Sequence, residues 1–376
     1  MFKRFLASCV AVFSIGLAYA TSAEAAYQPT PQAEYVPNNT VFAIAVTPDR
    51  VYIGGKFLRV TLNGKFSSRQ GIAAFDRTTG ALISGFHPSF TSGAVRTIAV
   101  SGDTVLVGGA FTTVNGFSHP KLAAVSATDG SLLPNWNTTA SGEVRDIKIV
   151  GSSAYLGGAF GKVGGLSRPG LAKVDVSTGA VDLNWKPSAA GGGRPAALTV
   201  VQNTIVVGGA FTTLASAPRQ FLGSVTLDTG AVTDWAPTPA CPTCNVIDLA
   251  ADTATNSVLA GVGGPGGKAV RYDASTGSTQ WVRSSDGNVQ AITTDGTDVY
   301  VGGHFGPNPA NELYAVSITK GTIDTTFTPS FPGNTFPGVW ALEAAPEALY
   351  VGGGFVGVDG TTQSKYAVFP VAAVSP

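Results

Sequence analysis

Residues 105–116 read VLVGGAFTTVNG: a β-branched run, two glycines, a spacer, a phenylalanine, then a loop ending in Asn-Gly. Much the same word returns as VYIGGKF (51–57), AYLGGAF (154–160), IVVGGAF (205–211), VYVGGHF (299–305) and LYVGGGF (349–355). The closing aromatics Phe57, Phe111, Phe160, Phe211, Phe305 and Phe355 recur about every fifty residues, with one double gap after Phe211. SVLAGVGGPGG (257–267) fills that gap, with Gly264 about where the aromatic belongs, so the chain holds seven copies. A fixed period of this length marks a repeat architecture, and it decides every later reading.

Each copy is patterned as strands. In the second, VRTIAV (95–100), VLVGG (105–109), LAAVS (122–126) and SLLPNW (131–136) are short, rich in β-branched and apolar residues, and bounded by Gly, Asn, Asp or Pro. Four such strands repeated seven times predict an all-β fold, a seven-bladed β-propeller with four-stranded blades of about 50 residues, in one domain spanning 27–376. A blade alone would leave both faces uncovered, which is why blades occur in sets. The glycine pair is read as relief where a Cβ would obstruct a close approach, and the phenylalanine as packing between blades.

Two further registers support this. Asp76, Ser126, Asp175, Thr226, Asp273 and Ser317 each stand four residues before a turn glycine: Gly80, Gly130, Gly179, Gly230, Gly277 and Gly321. A short side-chain oxygen there can accept a backbone N–H and fix a hairpin, so these residues read as turn hooks rather than general acids. An aromatic follows in each, at Phe86, Trp136, Trp185, Trp235, Trp281 and Phe327, and is assigned to contacts between blades. The seventh copy lacks both features. EYVPNNT (34–40) is similar to FHPSFTS (86–92) and WAPTP (235–239), so the N-terminal segment is expected to complete the last blade and close the ring.

Charged residues are 12% of the chain, 23 basic against 23 acidic. Such a balance carries no electrostatic footprint for nucleic acid or an anionic membrane. Lys3 and Arg4 precede the apolar run FLASCVAVFSIGLAYA, and small residues follow at Ala23 and Ala25. That layout predicts a signal peptide over 1–26, cleaved near Ala25, and a mature chain outside the cytoplasm, without a membrane span. Cleavage removes Cys9 and leaves Cys241 and Cys244 in ACPTCN, expected to form a disulfide clip in an oxidising compartment. A monomer is expected.

The words GGAFTTVNG (108–116), LAAVSATDGSLLPNW (122–136) and KGTIDTTFTP (320–329) resemble the delta-60 type repeat, a β-propeller family of secreted bacterial proteins. The resemblance covers nearly the whole mature chain and implies the fold and secretion. Similar repeats in fungal cortical polarity proteins imply a surface marker or interaction platform. The family carries no shared catalytic motif, so no active site transfers. DVSTGAVDLNW (175–185) and DASTGSTQW (273–281) also resemble the tryptophan repeats of quinone-cofactor dehydrogenases, but the eighth blade and the adjacent cysteines of those enzymes are missing.

Little else points to chemistry. GVGGPG (261–266) spells a dinucleotide motif but precedes the strand KAVRYD, where that motif needs a helix N-terminus. His87, His119 and His304 belong to three different copies and suggest no triad, and no acidic or histidine spacing suggests a metal. No catalytic residue, metal or cofactor is assigned.

In a propeller the first strand of each blade lines the central channel. The position after its leading residue reads Phe42, Arg96, Arg145, Ala196, Ile247, Gln290 and Trp340, and the next position contains Asp146 and Asp248. A packing position repeated seven times should stay apolar, whereas this one varies. Arg96, Arg145, Asp146, Asp248, Gln290 and Trp340 are therefore the candidate binding residues at the channel mouth, for a protein or glycan ligand; mutual neutralisation inside a wet channel is the alternative. A second set, Arg69, His119, Arg168 and Arg219, stands three residues before strand three of four successive copies and is expected to brace the preceding loop.

Overall fold

The computed structural model describes residues 27–306, 312–332 and 338–371. The expected signal peptide, with Cys9, lies outside the described residues. Among these the chain is all-β, with no helix. Seven antiparallel sheets, one per repeat, carry the fold. In the second, Val95–Ser101 pairs with Thr104–Gly109, which pairs with Leu122–Ser126. The first is built likewise from Val41–Val46, Arg50–Gly55 and Ile72–Asp76, and the last from Val339–Ala345, Ala348–Gly353 and Tyr366–Pro370. We call these strands inner, middle and outer. Each inner strand lies beside those of the sheets before and after it, and Val339–Ala345 lies beside Val41–Val46.

The glycine pair serves two different approaches. A Cβ on Gly108 would sit 2.7 Å from Cγ1 of Val144 in the next sheet, and one on Gly302 would sit 2.5 Å from Cγ1 of Val339. Gly352, in the last sheet, would meet Val41 of the first at 2.6 Å. The first glycine thus admits a side chain of the neighbouring inner strand, its leading valine in most copies and Leu198 beside Gly157. The second admits backbone of its own sheet, since a Cβ on Gly109 would lie 2.2 Å from the Ala94 carbonyl oxygen. All six phenylalanines of the repeated word are buried, and Phe111 packs in one cluster with Ile72 and Ala74 of the preceding sheet. Each such ring removes enough apolar surface from water to stabilise the fold by about 1.5–3 kcal/mol.

Among the described residues the expected fourth strand is present at full length in one sheet, the fifth, where Thr279–Ser284 pairs with Lys268–Asp273. In five others it shortens to a single bridge, for example Val125 to Leu132 and Val174 to Val181. The cause is local. The short segments LPNW, SGF and DLNW carry Pro, Gly, Asn or Asp, and Asp182 accepts hydrogen bonds from the backbone N–H groups of Asn184 and Trp185, which turns the chain off the ladder. STQWVRS (278–284) has no such residue and continues as a strand.

Whether the chain turns off the ladder or continues as a strand, the aromatic of this segment reaches the seam with the next sheet. The indole N–H groups of Trp136, Trp185, Trp235 and Trp281 donate to the carbonyls of Val176, Thr226, Asp273 and Ile318, each in the following repeat, at 2.7–3.1 Å. Four of the six hooks accept backbone N–H groups: Asp76, Ser126, Asp175 and Asp273, as where Asp175 accepts from Ser177 and Thr178 while Gly179 adopts φ 70° and donates to the Asp175 carbonyl; the Thr226 and Ser317 hydroxyls meet those of Thr229 and Thr319 instead. The second basic set ties the loop to the shortened segment. Arg168 and Arg219 donate to the carbonyls of Asp182 and Thr233, Arg69 to those of Ile83 and Ser84, and a His119 ring nitrogen faces that of Trp136.

The N-terminal segment meets both ends of the chain. Tyr27 and Gln32 bridge to Val371 and Val368 beside the last outer strand, and Val36–Pro37 pairs with Val60 and Thr61 of the first repeat. Phe90–Thr91 holds the equivalent place ahead of the second repeat, pairing with Thr113–Val114, which accounts for the likeness of EYVPNNT to FHPSFTS. The part on the last strand is therefore 27–32, and 34–40 belongs to the first repeat's side. Arg77 and Glu347 add a two-point ion pair between first and last repeats, 2.6 and 2.7 Å.

Cys241 and Cys244 stand at disulfide distance, Cα atoms 5.4 Å apart. The pair adjoins the odd fifth copy. A Cβ on Gly264 would lie 3.2 Å from Cys244 Sγ, and Cys244 is buried with Leu222, Trp235 and Val262 where other copies place the phenylalanine.

Candidate functional site

Where the inner strands converge they enclose a cavity of about 580 Å³, lined by all seven. All six sequence candidates, Arg96, Arg145, Asp146, Asp248, Gln290 and Trp340, line it. The backbone explains why. Every inner strand slips register against its middle strand at the same point, between Val95 and Thr97 in the second sheet and between Val144 and Asp146 in the third. The same slip recurs at Val41/Ala43, Pro195/Ala197, Val246/Asp248, Val289/Ala291 and Val339/Ala341. A bulge carries one extra residue and re-aims its side chain. The extra residues are Phe42, Arg96, Arg145, Ala196, Ile247, Gln290 and Trp340, the register that varied in the sequence.

Five of these form one arc. The Arg96 guanidinium lies 4.1 Å above the Phe42 ring, and Phe42 meets Trp340 edge-on at 5.8 Å. Arg96 and Arg145 both donate through Nε to one carboxylate, Glu143, at 3.0 and 3.2 Å. Gln290 Oε1 and Trp340 Nε1, both buried, have no hydrogen-bond partner among the described residues. A buried donor or acceptor left unmade costs about 1–3 kcal/mol.

Asp146 and Asp248 play a different part. Asp146 accepts from the backbone N–H of Leu198 in the next sheet at 2.7 Å and from Ile147 at 2.8 Å; Asp248 accepts from Ile292 in the next sheet at 2.8 Å and from Leu249 at 2.9 Å. Thr97 repeats the device with Ile147. Their oxygens lace adjacent inner strands together, with the carboxylates facing the cavity.

The sequence reading missed the deeper charges. Lys148 and Glu343 share one register three residues beyond the bulge, and Lys148 Nζ lies 3.1 Å from Asp146. Burial is the largest influence on Lys148 and opposes its charge, but the pull of Asp146, Asp248 and Glu343 outweighs it and raises the pKa. Burial chiefly raises Asp248 to about 6, against the hydrogen bond from Ile292 and the attraction of Lys148. Burial likewise raises Glu343 to about 7. Outside the cavity, beside the N-terminal segment, burial raises Glu34 to about 7.

These three carboxyls hold protons in the folded state that the unfolded chain releases above about pH 4. Their stabilising effect is complete below that pH and is lost as pH rises through 6 to 7. The hooks Asp76, Asp175 and Asp273, held low chiefly by hydrogen bonds from Thr79, Ser177 and Thr276, act oppositely below pH 4. Thermal unfolding should therefore show a higher midpoint at pH 5 than at pH 8. Glu343→Gln should flatten that slope; an unchanged slope would contradict the assignment.

Fold and site together define a β-propeller-type repeat protein with a lined central cavity. The sequence profile described as outer membrane protein assembly factor BamB matches residues 68–326, and the chain belongs to that family. The crystal structure of the computationally designed Ika8 protein is similar in fold, with TM-score 0.57 and 15% identity over 91% of this chain and 100% of that one. No curated protein matches the chain. Among the described residues no helix is long and apolar enough to cross a membrane, and no group of three or more His, Cys, Asp or Glu side chains could hold a metal ion.

Proposed function

We propose that the chain is a single wheel of seven blades, closed by its N-terminal segment, exported from the cytoplasm by its leader, and acting as a monomeric recognition or scaffold module. It receives a protein or glycan at the mouth formed by the bulge residues. Closure is supported by the approach of Gly352 to Val41 and by the bridges from Tyr27 and Gln32 to the last strand. Export and secretion rest on the leader pattern and the delta-60-like words. The observation that carries the binding reading is one register of seven bulge residues, fixed in geometry and varied in chemistry, which lines one cavity with two guanidiniums and with a buried donor and acceptor that lack partners among the described residues.

Ala196→Trp tests it. Ala196 is the smallest residue of the ring and lines the cavity, so an indole there would fill part of the mouth. Capture of partners from envelope extract or on a glycan array should fall at least tenfold, with the melting midpoint kept. Capture that persists in the variant, or is absent from the parent on both surfaces, would contradict the reading.

One observation favours an enzyme on the same cavity: two carboxyls with pKa near neutrality beside Lys148. That reading requires turnover abolished by Glu343→Gln, whereas the recognition reading leaves ligand capture intact in this variant.

A further inference from the structure

We infer that the ligand of the mouth is a protein segment that sets a carboxylate on Arg96 and Arg145 and lays apolar side chains across the same side of blades seven, one, two and three. This rests on the recognition reading above and narrows it from protein or glycan to an acidic, apolar peptide.

The charge argument starts from what the two arginines leave unused. Each is tied to Glu143 through Nε alone, and among the described residues their terminal nitrogens have no protein acceptor. One glutamate balances one guanidinium, so the trio keeps a net positive charge. Arg96 is also held against Phe42, so its fork is oriented before any ligand arrives. A planar fork with free N–H groups matches a carboxylate with two parallel hydrogen bonds.

The second argument comes from the unpartnered atoms. Trp340 Nε1 is a donor and Gln290 Oε1 an acceptor, on adjacent inner strands that line the same cavity. A peptide group offers the complementary C=O and N–H together.

The third comes from the exposed apolar side chains. Of the eight large apolar side chains exposed among the described residues, Leu183, Val282 and Ile323 lie on the fourth-strand segments; the other five, Val356, Leu58, Phe66, Phe117 and Leu166, are 57, 61, 68, 70 and 38% exposed. All five lie on the connections that leave the glycine-pair end of the middle strands, the end where the bulges sit. They belong to the four consecutive repeats that supply Trp340, Phe42, Arg96 and Arg145. Exposed apolar side chains gathered on one side of a surface mark a partner contact. A glycan would leave them uncovered. A bilayer could cover them but cannot supply hydrogen bonds inside a cavity, and a chain of net charge zero lacks the polybasic attraction to anionic lipid.

The experiment applies the mature chain to an array of random-sequence octapeptides, with a glycan array and phosphatidylglycerol–phosphatidylcholine vesicles in parallel. The expected result is enrichment of peptides pairing Asp, Glu or a free C-terminus with Leu, Ile or Phe. Arg96→Gln and Arg145→Gln should each weaken the best peptide about tenfold and abolish the acid preference while keeping the apolar one. Phe66→Ser with Phe117→Ser should do the reverse. All these side chains are at least partly exposed, and an unchanged melting midpoint shows the variants folded. Enrichment without acid preference, or acid preference unaltered in both arginine variants, overturns the inference. Binding to vesicles alone also overturns it. Binding to glycans alone overturns it while leaving recognition at the mouth intact, and silence on all three surfaces removes both.

Discussion

Removal of residues 27–37 is expected to lower the melting midpoint by about 10 °C or more, or to leave the chain unable to fold. The segment is small but its contacts are concentrated. Tyr27 is buried, donates its hydroxyl to the Ala345 carbonyl at 2.8 Å, and stacks at a tilt 5.1 Å from Tyr300. Gln28 and Gln32 donate backbone N–H groups to Pro370 and Val368, Glu34 donates its own to the Gln363 side chain, and Tyr35 packs 5.3 Å from Phe75. The burial of Tyr27 at about 1.5–3 kcal/mol, the partial burial of Tyr35 and several hydrogen bonds at about 1 each reach on the order of 5 kcal/mol. That is a large part of the 5–15 or so kcal/mol that holds a typical domain folded. The loss also uncovers the ladder edge of Tyr366–Pro370, so aggregation on heating should increase. A truncated protein with the parent's midpoint would show that this segment does not hold the two ends together.

A comparable loss is expected from one methyl group at Gly109. In Gly109→Ala the new Cβ falls 2.2 Å from the Ala94 carbonyl oxygen, which is backbone and cannot rotate away. The bulge that carries Arg96 would have to open, at about 3 kcal/mol or more. Gly116→Ala is the control: its φ is 83°, yet nothing lies within 4 Å of the added atom, so only the left-handed conformation opposes it, at about 1 kcal/mol. Chemical denaturation separates the two. Equal losses would mean that the glycine pair serves turn conformation and not close packing.

The contrast shows what the sequence could reveal. Features that recur from copy to copy were legible because one physical need recurred: the six buried phenylalanines, the hooks at Asp76, Asp175 and Asp273, and the four tryptophans that reach the following repeat. Features set by a single local break were harder to see. The fourth strand was read from apolar content in SLLPNW, while the proline and asparagine inside it turn the chain off the ladder after a single bridge. Asp146 and Asp248 were found as channel residues by their variation, but variation could not show that their oxygens hold Leu198 and Ile292 of neighbouring sheets. Lys148 and Glu343 escaped because a register lying deeper in the cavity is visible only once the bulge is known. The exposed Phe66 and Phe117 drew no reading from the sequence, since nothing local marks a side chain in a connection as uncovered.

The most direct measurement is a cross-link between the ends. Gln32 and Val368 are paired across antiparallel chains, with the Gln32 N–H 2.9 Å from the Val368 carbonyl. In the double variant Gln32→Cys, Val368→Cys the two Cα atoms stand within reach of a disulfide. Peptide mass spectrometry after oxidation in dilute solution should find residue 32 joined to residue 368 within one chain, with Cys241 still joined to Cys244. Free thiols at 32 and 368, or cross-links only between separate chains, would contradict a wheel closed by its own N-terminal segment.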